Sequence, residues 1–331
     1  MLERDKFLGC LIAGAAGDAL GAPTEFMAPY EIVAKYGDGI KDMDEAYGRV
    51  GAITDDTQMT LFTAEAMLEH LQTGKHAEVC LTQSYLYWLM TQDDKFVPER
   101  YYGGRLMGIP ELWSRRAPGT TCLSALRSIA KTGVAENNSK GCGGVMRTAP
   151  IGLVFEPKRA FLMGRAAASI THKHPDGYNP AGCLSMLVSL LIRQPNIPLR
   201  EHVSAVLDVV KKEAPESHTV VCLEKALSLS HNDDEWFDYK NIVAIGEGWT
   251  GDEAFGIGVY AALATDSLEK SIVMAANHGG DTDSTAAIAG NIAGARDGIG
   301  AVPERWLREL ELKNILEEIS EELYNTLHRA V

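Results

Sequence analysis

Apolar positions recur along most of this chain at the three- and four-residue spacing of a helix face, while alternating runs joined by hairpin dipeptides are scarce. Residues 3–20, ERDKFLGCLIAGAAGDAL, predict a helix crowded with Gly and Ala, whose small side chains let another backbone approach closely. Residues 57–74, TQMTLFTAEAMLEHLQTG, are apolar on most faces and close on Gly74, so they predict a central buried helix. Further helices are predicted near 76–91, 120–132, 157–171, 180–193, 199–213, 217–230, 251–264, 267–277, 283–296 and 312–328. The expectation is an all-α bundle, one domain over residues 1–331, with no linker, low-complexity segment or solenoid repeat. A few short strands have room in the loops. Two long connections, 36–55 and 91–119, interrupt the helical pattern, and loops of that length in a compact domain usually serve function or motion.

Composition narrows the class. Of 331 residues 46% are hydrophobic, enough to build a substantial core and to argue against disorder. Lys and Arg number 31 against 45 Asp and Glu, a net charge of −14. That balance argues against general nucleic-acid or anionic-membrane binding, both of which need a positive surface. It leaves room for an anionic small molecule held by backbone N–H groups. The six cysteines form no CxxC pair, and several, such as Cys10 in LGCLIAG, sit in apolar helical contexts. Buried reduced thiols in a cytoplasm are the expectation. The opening MLERDKFLGC has no basic region followed by an apolar core, and no stretch reaches the roughly 18 uninterrupted apolar residues of a membrane span.

The chemistry concentrates in two short stretches. ITDDTQMT, residues 53–60, places Thr54, Asp55 and Asp56 directly before a helical run, and HGGDTDST, residues 278–285, places Asp281, Asp283 and Ser284 before another. One Asp or Thr suffices to cap a helix, and capping alone explains any single such residue. Both stretches offer more oxygen donors than capping needs. Four carboxylates packed together repel one another unless a cation neutralises them. Oxygen donors without His or Cys point to a hard ion, Mg²⁺, Mn²⁺ or Ca²⁺, although DTDST lacks the Gly and Glu of an EF-hand. Spacing alone leaves open whether the two stretches meet.

Five stretches, GCLIAGAAGDALGAPTEF (9–26), ITDDTQMT (53–60), GCGGVMRTAPIG (141–152), ITHKHPDGY (170–178) and NHGGDTDSTAAIAGNIAGARDG (277–298), together resemble the ADP-ribosylglycohydrolase family, in the family's order. The resemblance runs from residue 3 to about residue 305. It implies a compact all-α fold around two divalent ions, Mg²⁺ or Mn²⁺. Thr54, Asp55 and Asp56 would supply one group of ligands and Asp281, Asp283 and Ser284 the other, with Asp283 bridging. Many members carry Thr where this chain has Ser284, which keeps the hydroxyl. Glu25, otherwise readable as a solvated loop acid, resembles the family's mobile acid near the metals, a metal contact or proton-transfer group. Asp55 or Asp56 would be the base that activates water, and the residues do not choose between them. Asp18, an acid in an apolar frame, is expected to be hydrogen-bonded and structural.

SKGCGGVMR, residues 139–147, is a Gly-rich loop of the kind that exposes N–H groups to phosphate. The family's loop usually reads Gly-Asn-Gly, and Cys142 replaces the Asn, which puts a side-chain contact there in doubt. Gly141, Cys142, Gly143, Gly144 and His172 make up the implied substrate-binding set. Arg147 is readable as a phosphate ligand or as half of a buried ion pair, and His174 as a surface neighbour. Tyr101, Tyr102, Trp113 and Trp249 are candidates to stack on adenine, with ordinary packing the blander reading for each. The resemblance implies a hydrolase that frees ADP-ribose from a modified protein side chain, arginine foremost, by breaking the C1″ glycosidic bond. Paired divalent ions can orient a water and lower its pKa for such a step. A monomer is expected, with an ADP-ribosylated protein as substrate and a cognate ADP-ribosyltransferase as a further partner. The rivals are a non-catalytic or dual-role protein that binds ADP-ribose or neutralises a toxin, and a metal-dependent phosphohydrolase. The intact acids favour the hydrolase over the binding protein.

Overall fold

The computed structural model of the protein describes residues 2–92, 103–230 and 239–329. Each of the twelve long helices expected from the sequence is present. They are α1 (Arg4–Gly21), α3 (Asp55–Thr73), α4 (Ala77–Gln92), α5 (Thr120–Thr132), α7 (Pro157–Ser169), α8 (Pro175–Arg193), α9 (Leu199–Glu213), α10 (His218–Leu229), α12 (Gly251–Ala264), α13 (Leu268–Ala275), α14 (Thr282–Asp297) and α16 (Lys313–Arg329). Four shorter ones were not anticipated: α2 (Pro29–Tyr36), α6 (Ala149–Val154), α11 (Tyr239–Ile245) and α15 (Glu304–Glu309). Each spans about two turns or fewer, too short for a helical period to stand out. Helix α8 begins five residues earlier than expected, because His174 caps it and Pro175 and Pro180 both lie in its first two turns. The only strands among the described residues are a two-residue hairpin pair, β1 (Glu45–Ala46) and β2 (Arg49–Val50), inside the first long connection. The fold is all-α.

The fold is organised around a close crossing of α1 and α14. Small residues recur every fourth position on α1 (Gly9, Ala13, Gly17, Gly21) and again on α14 and its cap (Ala286, Gly290, Gly294, Gly298). That spacing builds one ridge on each helix, and the two ridges meet. A Cβ added at Gly17 would lie 2.1 Å from the Ala286 carbonyl oxygen, and one at Gly290 would lie 2.1 Å from that of Ala13. Asn291 Nδ2 donates to the Cys10 carbonyl at 2.8 Å across the same seam. Helix α3, buried from Asp55 to Leu68 apart from Glu65, packs beside α4, α16 and α1. A single hydrophobic cluster joins Phe7, Phe62, Trp88, Phe255 and Trp306 through these helices.

The seam gives the first prediction. Gly17→Ala has no room to relax, since the atom it meets is backbone. Overpacking of this kind costs about 1–3 kcal/mol or more. Gly300→Ala, where an added Cβ meets nothing within 4 Å, should change stability by less than about 0.5 kcal/mol. Urea midpoints of the two variants measure the difference, and equal midpoints would show that the seam is not the tight contact described.

Candidate active site

Both acidic stretches sit at helix N-termini, and α1 positions both. Asp18, in the last turn of α1, accepts hydrogen bonds from Thr54 N at 3.0 Å and from Thr57 N at 3.1 Å. The Thr57 hydroxyl donates to it as well. Asp18 thus satisfies the N-terminus of α3 from outside, the structural role expected of it. Burial and the charge of Asp283 push its pKa up to about 7, against the pull of the Thr57 and Thr54 hydrogen bonds. Thr54 Oγ1 accepts from Asp56 N at 3.2 Å. Capping is therefore complete without the side chains of Asp55 and Asp56. The strand of chain leading into α3 is clamped from behind: Arg116 pairs with Glu311 at 2.8 Å and donates to the Ile53 carbonyl at 3.0 Å.

The N-terminus of α14 meets the same end of α1. Thr282 Oγ1 donates to the Gly21 carbonyl at 3.0 Å, and Thr24 donates to Thr282 and to the Ala276 carbonyl. Gly21 must lack a side chain there, because a Cβ would lie 2.3 Å from the Thr282 oxygen. This fastening presents Asp281, Asp283 and Ser284 toward Asp55 and Asp56.

All four aspartates, Ser284 and Glu25 line one cleft of about 610 Å³. The two stretches left unconnected by spacing do meet. Glu25, Asp281 and Asp283 each place a carboxylate oxygen within 4.8 Å of the others. Asp55 Oδ2 accepts from Gly119 N at 3.2 Å, and Asp283 Oδ1 accepts from Ser284 N at 2.9 Å. By contrast Glu25 Oε2, Asp56 Oδ2 and Asp281 Oδ2 are buried with no hydrogen-bond partner. Unpartnered buried carboxylate oxygens are costly and rare. Burial, followed by the charge of Asp283, holds Asp55, Asp56 and Asp281 well above the usual carboxylate range and pushes Glu25 up to about 11. Such a site takes up protons or a cation. The donors are hard oxygens from several directions, so the residues fit a divalent ion of the Mg²⁺ class.

The other wall carries the Gly-rich loop. Gly141, Cys142, Gly143 and His172 line the cleft, and Gly144 and Thr54 do not. Gly144 faces the Gly177 carbonyl and Ala168, where a Cβ would clash. Two of the expected phosphate-facing N–H groups are already engaged, Gly141 N with Ser139 Oγ at 3.3 Å and Cys142 N with the Trp249 carbonyl at 3.2 Å. Gly143 is closely enclosed, since an added Cβ would stand 2.8 Å from Cys122 Sγ and 3.1 Å from His172 Cε1. The Cys142 side chain reaches the acids instead, accepting from the Ser284 hydroxyl at 3.6 Å. His172 is buried, and burial followed by the Arg147 charge lowers its pKa to about 3, so the imidazole is neutral.

Arg147 takes neither of its expected roles. It is fully buried and donates to the Gly143 carbonyl and to Thr171 Oγ1, each at 2.7 Å, while lying over the Tyr85 ring. It has no carboxylate partner among the described residues, so it braces the loop through carbonyls and a hydroxyl. His174 is the N-cap of α8, its Nδ1 accepting from Asp176 N at 3.0 Å. Trp113 is turned away from the cleft and donates to the Met107 carbonyl. Tyr101 and Tyr102 lie outside the described residues. Trp249 does line the cleft, stacked on Phe26 with ring centroids 5.4 Å apart. Phe26 was missed: it is 69% exposed and has the left-handed φ of 66° that a bulky residue rarely adopts. Its position beside Glu25 in GAPTEF is the one signal that marks it. Arg115, also missed, is an exposed cation on the rim of the acidic cleft.

An all-α protein with a concave acidic site at two converging helix N-termini is the class that fold and site define. Residues 2–330 match the model of the ADP-ribosylglycohydrolase family, and the chain belongs to that family. It is 27% identical over 319 residues to the ADP-ribosyl-[dinitrogen reductase] glycohydrolase of Rhodospirillum rubrum, covering 93% of this chain and 91% of that one. It is 24% identical to an ADP-ribosylarginine hydrolase of Serratia proteamaculans, covering 97% of this chain and 79% of that one. A solved ADP-ribosylglycohydrolase-related protein complex shares the fold, with a TM-score of 0.70 at 24% identity over 98% of both chains. Membership supports a hydrolase that removes ADP-ribose from modified substrates. No helix among the described residues is long and apolar enough to cross a membrane.

Proposed function

We propose that the protein is a metal-dependent hydrolase that releases ADP-ribose from a modified protein side chain, arginine foremost, by breaking the C1″ glycosidic bond. The convergence of two acidic helix N-termini on one cleft, with three carboxylate oxygens left unpartnered, carries this reading. Asp55, Asp56, Asp281 and Asp283, with the Ser284 hydroxyl, would hold two Mg²⁺ or Mn²⁺ ions, while Thr54, the other hydroxyl expected there, caps α3 outside the cleft lining. Bound there, the ions supply Lewis acidity toward a water and the ribose hydroxyls.

The protein's own residues do the rest. Asp55 or Asp56 takes the proton of the attacking water, and Glu25 transfers a proton at the cleft mouth. The carboxylates together stabilise the positive charge that gathers at the anomeric carbon. Neutral His172 hydrogen-bonds beside the diphosphate, and Arg115 offers it a counter-charge at the rim. The Phe26–Trp249 pair offers an aromatic face to the adenine. The arginine reading draws on the relative named as an ADP-ribosylarginine hydrolase. We place the protein as a single-domain monomer in the cytoplasm, acting on an ADP-ribosylated protein and opposing a cognate transferase. The six free cysteines agree with a reducing compartment.

Separately prepared Arg-linked and Ser-linked ADP-ribosyl peptides test the proposal, each run with Mg²⁺ and with EDTA. Intact ADP-ribose should appear only with the metal, and faster from the Arg-linked peptide. Release of AMP would point instead to a phosphohydrolase. Binding without release would point to an ADP-ribose-binding protein.

A further inference from the structure

Helices α10 and α12 gather three side chains of a chemistry different from that of the acidic cleft. His218 and Cys222 stand four residues apart on one face of α10, and Asp252 is the second residue of α12. His218 Nδ1 hydrogen-bonds Asp252 Oδ2. Cys222 Sγ lies 3.6 Å from that nitrogen and 3.9 Å from that oxygen. One nitrogen, one sulfur and one oxygen therefore face a common point.

A plain His–Asp pair accounts for only part of this. Asp252 is 3% exposed, and its other oxygen, Oδ1, is buried with no hydrogen-bond partner. The thiol beside the pair serves neither residue as a strong hydrogen-bond partner. Zinc ligands at about 2.3 Å for sulfur and about 2.0–2.2 Å for nitrogen and oxygen stand about 3.3–3.6 Å apart in a tetrahedron. The sulfur–nitrogen separation already matches. As an ion replaces the shared proton, the His218–Asp252 contact must open and the sulfur–oxygen separation of 3.9 Å must close slightly. Cys222 is fully buried while the His218 side chain is 45% exposed, which leaves one approach from solvent.

We propose that His218, Cys222 and Asp252 form a zinc site, with solvent at the fourth position. A thiolate and an imidazole select zinc over the hard ions that suit the cleft. An ion entering here displaces a proton from sulfur and offsets the buried carboxylate of Asp252. The site clamps α10 to the start of α12. That start adjoins the Gly-rich loop, because Thr250 pairs with Gly141 and the Trp249 carbonyl accepts from Cys142 N.

The test uses Co²⁺ as a spectroscopic stand-in, added to the whole protein at neutral pH with excess Mg²⁺ to occupy oxygen-only sites. One equivalent should produce a near-ultraviolet thiolate-to-cobalt band that Zn²⁺ then abolishes. The band should survive Cys142→Ser and vanish in Cys222→Ser. His218→Gln, at a half-exposed position that spares the core, should weaken Co²⁺ binding by about 10-fold or more. It decides the matter if Cys222→Ser loses its helicity. Absence of the band, a band that depends on Cys142, or unchanged affinity in His218→Gln overturns the proposal.

Discussion

Asp283→Ala should lose at least about a thousandfold in kcat for ADP-ribose release, roughly 4 kcal/mol of transition-state stabilisation. Asp283 is 3% exposed at the start of α14, and its charge is the largest electrostatic influence on Asp18 behind the cleft and on every other acid lining it: Glu25, Asp55, Asp56 and Asp281. The same variant should do the opposite to stability when metal is withheld. Removing the central charge relieves repulsion among buried carboxylates, so in EDTA the variant should unfold at higher urea than the parent. Adding Mg²⁺ should then raise the parent's midpoint and leave the variant's nearly unchanged. A merely structural aspartate would give the reverse pattern, destabilised without metal and still responsive to it. Near-parental kcat at saturating Mg²⁺ would remove Asp283 from the machinery.

Apart from the eight-residue α13, the long helices were legible because each carries three or more turns of apolar periodicity, some with a recognisable end, as at Gly74 (φ 72°) and Gly133 (φ 81°). The short ones, such as α6 and α15, owe their shape to packing against neighbours, which no local pattern records. The acids were legible for a different reason: Asp55–Asp56 and Asp281–Asp283 exceed what a cap requires. Asp18 completes that argument, since its hydrogen bonds to Thr54 and Thr57 meet the helix's needs and leave the neighbouring carboxylates to the cleft. The Gly9–Gly17–Gly21 ridge announced a close backbone partner without naming it, and the matching ridge on α14 lies about 270 residues on. The loop wall was less legible. Whether Gly141 N faces a ligand or Ser139 Oγ depends on a turn, and whether Trp249 stacks on Phe26 depends on two loops more than 200 residues apart. Arg147 misled because a lone buried cation suggests a charged partner, whereas carbonyls, a hydroxyl and the Tyr85 ring satisfy it here.

The protons that the cleft holds in place of a cation should be visible in the pH dependence of stability. Glu25 is pushed up to about 11, and Asp55, Asp56 and Asp281 are held well above their ordinary values, while the unfolded chain's carboxyls titrate near 4. Between those limits the native state binds more protons than the unfolded state. Stability supplied by such groups is complete below pH 4 and is lost as pH rises through the folded-state pKa values, so the metal-free protein should weaken as pH rises. Buried His172 and His278, lowered to about 3 and about 4, work the other way, but only below the unfolded histidine value near 6.5. The informative window is therefore about pH 7 to 8.5. Buried thiols such as Cys10, raised by burial, add a loss of the same sign near its upper end. Asp283→Ala keeps those thiols and lowers the pKa values of the acids, so its slope should be the shallower. Mg²⁺ competes with the same protons. Its stabilisation, about 2.7 kcal/mol at a hundredfold excess over Kd, should grow across this window as the protons leave. Urea unfolding of both proteins at the two pH values, with EDTA and with Mg²⁺, measures all four slopes. A metal-free parent that gains stability toward pH 8.5, or a Mg²⁺ effect that shrinks there, would mean that the carboxylates are already ionised and that the cleft is not the proton-loaded cation site described.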